Sequence, residues 1–386
     1  MVKTTFVSRC HTGWGSLAVL PEEAQRLGMH NVLLLSDPFL KHNGMAARVA
    51  TLLADAGINC VIHDKIAAEP PLALAESLVD FTRAQQVDGV IGLGGGSALD
   101  LAKLAAVFAM QDGKVGDFLN LSGTRQLEKR GLPSILIPTT AGTGSEVTNI
   151  AVLALETSKD VIAHDFLLPD VAIVDPELTV SVPARVTAAT GIDALTHAIE
   201  SYLSVLANPV TEALSLQAIR LIAASLRTAV HRGDDQAARE AMSYGSFLAG
   251  IAFFNAGVAG VHALAYPLGG QFHLAHGESN AVLLPYVMAH IRPSCEKKLK
   301  DIYEAMGFSA AQLSQEAAAQ RCIAALEQLV ADVGIPGSLQ DFNIPESALA
   351  TLTADACQQT RLLARSPMPL HEADIAAIYR AAWQGR

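Results

Sequence analysis

Hydrophobic residues recur along this chain in two rhythms. Up to about residue 180, short β-branched apolar runs (NVLLLS, NCVIH, DGVIGLG, SILIPTT and DVAIVDP) alternate with amphipathic stretches such as MAARVATLLADAG and LALAESLVDFTRAQQ. Strand-like runs separated by helix-like ones imply a parallel sheet covered on both faces, because each parallel connection must cross over the sheet. After Pro183 the strand-like runs stop. Ala/Leu-rich stretches at helical spacing continue to the end, among them PARVTAATGIDALTHAIESYL, EALSLQAIRLIAASLRTAV and AQRCIAALEQLVADVG. The pattern predicts an α/β domain over 1–182 and an all-helical domain over 183–386, with PELTVSVP as the hinge. No internal repeat or low-complexity segment interrupts it.

A chain of 386 residues, 51% of them hydrophobic, exceeds what one core usually organises, which agrees with two domains. Its 27 Lys and Arg against 38 Asp and Glu leave a formal charge of −11, with no basic cluster to offset it, so nucleic acid and anionic membranes are disfavoured partners. Cys10, Cys60, Cys295, Cys322 and Cys357 are odd in number and form no CxxC, which argues against a disulfide framework and for a reducing cytoplasm. The opening MVKTTFVSRCHTGWGS has no apolar core of signal-peptide length. The longest apolar stretch, FLAGIAFFNAGVAGVHALAYPLGG, is interrupted by Asn255, His262, several glycines and Pro267. It reads as buried helices around a polar site rather than as a membrane span.

Chemistry-bearing residues fall in both halves. In DGVIGLGGGSALDLAKLAAVFA a buried strand runs into Gly94, Gly95, Gly96 and Ser97 and then a helix, so backbone N–H groups can approach a phosphate at the helix N-terminus. This is not the GxGxxG dinucleotide fingerprint, and a glycine cluster after a strand is also an ordinary tight turn. SILIPTTAGTGSE is a second strand followed by a loop of small residues, where Thr139, Thr140 and Thr143 could line a nucleotide or simply form a surface turn. Asp37, just past the first apolar strand, could accept from an adenosine ribose and would repel a 2′-phosphate, favouring NAD over NADP. Asp before Pro is equally common turn chemistry.

In the second half, Asp193 and His197 stand four apart in GIDALTHAIE, on one face of a helix. His262 and His276 follow, separated by Pro267, Gly269 and Gly270, which are expected to break a helix and let the chain turn back. Three imidazoles and one carboxylate suit Fe(II) or Zn(II). On spacing alone, such an Asp/His pair is more often a solvated helix face, and two scattered histidines are more often unrelated.

Taken together, GSLAVLPEEAQRLG, GGGSALDLAK, PTTAGTGSEVT, LLPDVAIVDPELT, AATGIDALTHAIE, HALAYPLGGQFHLAHGESNAVLLP and PLHEADIAAIYRAAW resemble, in order and over nearly the whole chain, the iron-containing (group III) alcohol dehydrogenase family. The resemblance implies an N-terminal Rossmann-like dinucleotide-binding domain, a helical C-terminal domain and a catalytic metal in the cleft between them. It implies NAD(H)-linked oxidation of a primary alcohol or reduction of an aldehyde, with one divalent cation, Fe(II) first and Zn(II) second, in a homo-oligomer. Carried onto this chain, it makes Asp193, His197, His262 and His276 the metal ligands. It puts Gly94, Gly95, Gly96 and Ser97 on the cofactor pyrophosphate and Asp37 at the ribose, with Asp100, Thr139, Thr140, Thr143, Lys159 and Leu178 along the cofactor. Lys103 also matches a family position.

Two departures stand out. Where the family often has HxxxH, this chain has Tyr266 four residues after His262, a poorer proton shuttle at neutral pH because its ordinary pKa is about 10. Tyr266 is therefore the candidate proton carrier, with His273 as a pocket or supporting group. Glu69, Pro70 and Pro71 replace a Pro-Asn-Pro-Thr-like turn beside the cofactor. Other chemistries on the same scaffold are a dehydroquinate-synthase-like NAD/metal lyase, which would need a basic substrate pocket, a maleylacetate-reductase-like enzyme and a hydroxy-acid reductase. A non-catalytic NAD- or metal-binding protein is the reading from a different class.

Overall fold

The computed structural model describes residues 3–155 and 159–385. They form two compact units. One contains Phe6–Thr140 and Gly144–Thr179; the other contains Ala141–Thr143 and the chain from Val180 on, with the described residues before Phe6. The break at Thr179 falls inside the PELTVSVP segment, just after a 3₁₀ turn over Pro176–Thr179.

The first unit carries strands β1 (Arg9–Thr12), β2 (Asn31–Leu35), β3 (Asn59–His63), β4 (Gly89–Gly94), β5 (Ser134–Pro138), β6 (Ile150–Ala154), β7 (Lys159–Ala163) and β8 (Val171–Val174). Six make one sheet in the order β1-β8-β5-β4-β2-β3, with every neighbouring pair parallel. Alternate residues feed opposite cores, since side chains along a strand alternate between faces. Val32, Leu34, Ile91, Leu93, Ile135 and Ile137 pack on one face with helices α1 (Leu20–Arg26) and α3 (Met45–Asp55), while α2 (Pro38–His42) contributes Leu40. Leu33, Leu35, Val90 and Leu136 pack on the other with α4 (Leu72–Gln85) and α5 (Gly96–Phe108).

The five apolar runs singled out in the sequence are five of these six strands. The sixth, β1, is a polar RCHT segment at the sheet edge whose side chains are exposed or half-buried, so it carries no apolar signal. The β6/β7 pair is an antiparallel hairpin outside the main sheet, and its strands are only five residues long.

Among the described residues of the second unit the regular elements are helices: α6 (Ala184–Leu203), α7 (Pro209–His231), α8 (Gln236–Ala256), α9 (Gly260–Phe272), α10 (His276–Ile291), α11 (Glu296–Ala305), α12 (Gln315–Asp332), α13 (Leu349–Cys357), α14 (Thr360–Leu363) and α15 (Glu372–Gln384). Helix α7 is long and apolar enough to cross a membrane by length and composition, and it buries Ala218, Ile219, Ile222 and Leu226 in the core of this unit.

One expectation is corrected. Pro267 and Gly269 do not break the chain between His262 and His276: α9 runs through Pro267 to Phe272. Pro267 leaves the Ala263 carbonyl without its N–H donor, and at the neighbouring carbonyl, Leu264, the buried Tyr379 hydroxyl donates at 2.6 Å. The reversal comes later, at His273, whose left-handed backbone (φ 53°) ends the helix.

Candidate metal centre and nucleotide loop

Helix α6 presents Asp193 and His197 from adjacent turns of one face, α9 presents His262 from its first turn, and α10 begins with His276. The residue after His276 decides how α10 seats. A Cβ at Gly277 would overlap the backbone carbonyl of Ala189 in α6, so only glycine allows the approach that delivers His276.

Asp193 Oδ1 lies 3.7 Å from Nε2 of each of His197, His262 and His276, and no two of the four ligand atoms are farther apart than 4.8 Å. Four donors around a cation at about 2.0–2.2 Å should stand about 3.3–3.6 Å apart in a regular tetrahedron, so the set fits a divalent metal with slight room to spare. Asp193, His197 and His262 are buried; the His276 side chain keeps 29% of its surface, which marks the open side of the quartet.

The electrostatics favour ligation. Burial alone would raise the Asp193 carboxyl, but His197, His276, His262 and the Asn280 amide outweigh it and hold the group below its ordinary value. Burial drives His197 down to about 4 despite the pull of Asp193, so its imidazole is neutral at pH 7 and its lone pair is available. Its ring is stacked between Phe253 at 4.4 Å and His262 at 4.8 Å. The Gly142 carbonyl is near enough to favour the protonated ring, yet Nδ1 has no hydrogen-bond partner.

Two further residues belong to this centre and were not singled out in the sequence. Glu200, buried one turn beyond His197, accepts from His262 Nδ1 at 2.6 Å and from the backbone N–H of Ala259 (3.0 Å) and Val261 (2.6 Å). A carboxylate can only accept here, so Nδ1 carries the proton and Nε2 is left to ligate. Asn280 donates from Nδ2 to Asp193 Oδ1 at 2.7 Å. The sequence held a signal for each: Glu200 lies on the Asp193/His197 helix face, and Asn280 stands four residues after His276.

Tyr266 is buried one turn beyond His262, with its ring 5.9 Å from that of His276. His273 is exposed at the end of α9. The structure thus brings Tyr266 beside the quartet and leaves His273 at the surface.

In the other unit, Gly94 ends β4 with φ 154°, and a Cβ there would meet Ala98 Cβ at 2.7 Å, so the turn into α5 requires glycine. Gly95 is the N-cap and Gly96 the first residue of α5, Thr139 N–H donates to the Gly94 carbonyl, and Thr140 stands beside Gly95. Asp37 caps α2, accepting from Leu40 N–H at 2.9 Å. Thr143 groups with the helical unit. Ser97 accepts from the Glu69 N–H, and Lys159 pairs with the Glu69 carboxylate at 2.7 Å.

Two of the other cofactor candidates have internal duties. Asp100 binds Ser145 Oγ (2.5 Å), Lys103 Nζ (3.3 Å) and the Val152 N–H (3.0 Å). Leu178 is a core residue beneath the sheet.

Comparison with known proteins agrees with this anatomy. Residues 8–176 match the family described as iron-containing alcohol dehydrogenase, and residues 187–383 match the C-terminal part of the Fe-containing alcohol dehydrogenase family. The chain is 61% identical to long-chain-alcohol dehydrogenase 1 of Geobacillus thermodenitrificans (strain NG80-2), over 100% of this chain and 98% of that one. It is 36% identical to the NAD-dependent methanol dehydrogenase of Bacillus methanolicus, over 96% and 97%. The crystal structure of a 1,3-propanediol oxidoreductase superposes with a TM-score of 0.95 at 39% identity, covering 99% of this chain and 100% of that one. The chain belongs to the iron-containing alcohol dehydrogenase family, and its reaction is NAD-linked hydride transfer between an alcohol and an aldehyde.

Proposed function

We propose that this member of the family reduces primary aldehydes, and oxidises the matching alcohols, with apolar chains, using NAD(H) and one divalent cation, Fe(II) first and Zn(II) second. The observation that carries the reading is the quartet itself, with Asp193 Oδ1 at 3.7 Å from three imidazole nitrogens. A cation held there would polarise the substrate oxygen, and the nicotinamide would carry the hydride.

The protein's own residues do the rest. Glu200 fixes the His262 ring and its tautomer, and burial keeps His197 neutral. Tyr266 has a hydroxyl that can pass a proton to or from the substrate oxygen, and His273 acts at the edge of the pocket. Gly94, Gly95, Gly96 and Ser97 offer backbone N–H groups to the pyrophosphate. Thr139, Thr140 and Thr143 line the nucleotide with Lys159, and Asp37 disfavours a 2′-phosphate. Five free cysteines suit a reducing, cytoplasmic setting, and a homo-oligomer is expected.

Two features support an apolar substrate. The 61% identical relative is a long-chain-alcohol dehydrogenase, and AYPLGGQFHLAHGESNAV, which spans α9 to α10, contains no Lys or Arg. That also counts against the lyase reading, whose anionic substrate needs cationic partners. The test is an NADH-linked series from ethanal to hexadecanal with metal-stripped protein reloaded with Fe(II) or Zn(II). kcat/KM should climb with chain length and be higher with Fe(II). Turnover confined to anionic sugar-like substrates, without net NADH consumption, would overturn the reading.

A further inference from the structure

The quartet has a fifth member whose position is unusual for a bystander. Asn280 is fully buried on α10, and its Nδ2 lies 2.7 Å from Asp193 Oδ1, 3.2 Å from His262 Nε2 and 3.3 Å from His276 Nε2. A point at those distances from three corners of the quartet lies either just outside the face they form or almost on the fourth corner. No contact of hydrogen-bond length joins the amide to His197 among the described residues, so Nδ2 covers the Asp193/His262/His276 face from outside.

The amide orientation is dictated by charge. Turned over, Oδ1 would stand against the Asp193 carboxylate. As it stands, Oδ1 is buried without a partner. A fold that leaves a buried carbonyl unsatisfied in order to keep a donor on one oxygen is constraining that oxygen. The constrained atom is the one equidistant from the three imidazole nitrogens.

We propose that Asn280 is the positioning residue that sets metal affinity and metal choice in this centre. It fixes Asp193 Oδ1 as the single anionic donor and closes one face to a further ligand without adding a second negative charge. The inference rests on the quartet being a metal site.

The test is equilibrium titration of metal-stripped protein with Zn(II), Mn(II) and Co(II) against a chromophoric chelator, for the wild type, N280A and N280D. N280A should bind Zn(II) about 10- to 100-fold more weakly, the usual effect of removing a partner that orients a ligand. N280D, nearly unchanged in size, supplies a hard oxygen at the covered face. It should raise Mn(II) affinity relative to Zn(II) by about tenfold or more and weaken the Co(II) d–d bands as the coordination number rises. Wild-type affinities in N280A, or an unchanged Mn(II)/Zn(II) ratio and Co(II) spectrum in N280D, would overturn the role of Asn280. A wild type that binds no stoichiometric metal would instead overturn the metal centre itself. If N280A does not fold, the N280D ratio and spectrum decide.

Discussion

Each unit buries a cluster of charges, and the two clusters differ in how completely they are satisfied. In the α/β unit, the Lys103 ammonium is fully enclosed and contacts Ser145 Oγ (2.7 Å), the Ile150 carbonyl (2.8 Å), Thr148 Oγ1 (3.0 Å) and Asp100 Oδ1 (3.3 Å). Both oxygens of Asp100 are also engaged. In the helical unit, one carboxylate and three imidazoles turn donor atoms toward a common point, while Asn280 Oδ1 is buried without a partner. A closed network holds a fold together; converging lone pairs await a cation. Charge and burial alone do not separate the two kinds of cluster. Satisfaction does.

Neutralising one residue in each cluster should have opposite consequences. Asp193→Asn should lower turnover by about a thousandfold or more, the equivalent of roughly 4 kcal/mol of transition-state stabilisation, together with metal content. The melting temperature of its metal-free form should barely move. Lys103→Met should do the reverse, destabilising by about 3–5 kcal/mol because Asp100 is left buried and unpaired, while the folded fraction keeps its metal. Denaturant melts and elemental analysis of both variants check this, and comparable loss of metal in both would erase the distinction.

The units should also titrate with opposite sign. Burial raises Glu146, beside Lys103, to about 7 against an ordinary value of 4.5. The native state therefore holds a proton that the unfolded chain releases. This stability is present below pH 4.5 and is lost as pH rises through about 7, amounting to roughly 3 kcal/mol at most. Glu146→Gln should remove that slope and be more stable than the wild type at pH 8. His197 runs the other way: with a native value of about 4 against 6.5, it makes the metal-free protein less stable as pH falls from 6.5 toward 4. Denaturant midpoints across pH separate the two, and an unchanged slope in Glu146→Gln would count against its buried protonation.

Smaller effects sharpen the picture within the metal centre. Glu200→Gln keeps the shape but can present either amide atom to His262, so Zn(II) affinity should fall about 10- to 100-fold. An unchanged dissociation constant would make Glu200 only a helix cap for α9. Tyr266→His, which restores the residue the family often carries, should move the pH optimum of alcohol oxidation toward neutrality, while Tyr266→Phe lowers kcat by roughly tenfold. Identical pH profiles for the wild type and both variants would remove Tyr266 from the proton path.

Legibility in the sequence followed the range of the interaction. The five apolar strands and the long helices were readable because their signal is local periodicity, and Asp193 with His197 because four residues make one helical turn. β1 was not, since an edge strand need not be apolar. His262 and His276 joined the quartet only through the family resemblance. Their meeting depends on Gly277 lying against Ala189 and on α9 passing through Pro267, which read as a break. Glu200 was visible on the right helix face, but its partners Ala259, Val261 and His262 are some sixty residues away. The contacts of Asp100 were equally illegible: a carboxylate one turn past a phosphate-type loop gives no local sign of the tertiary partners, Ser145 and Val152, that engage both its oxygens.

The most direct test of a metal-dependent hydride-transfer centre is metal content and NADH-linked aldehyde reduction measured on the same sample, through chelator stripping and stepwise Fe(II) return. One divalent cation per chain is expected at full activity, with turnover falling in proportion as it is removed and recovering on its return. Full turnover in protein shown by elemental analysis to be free of metal would contradict it.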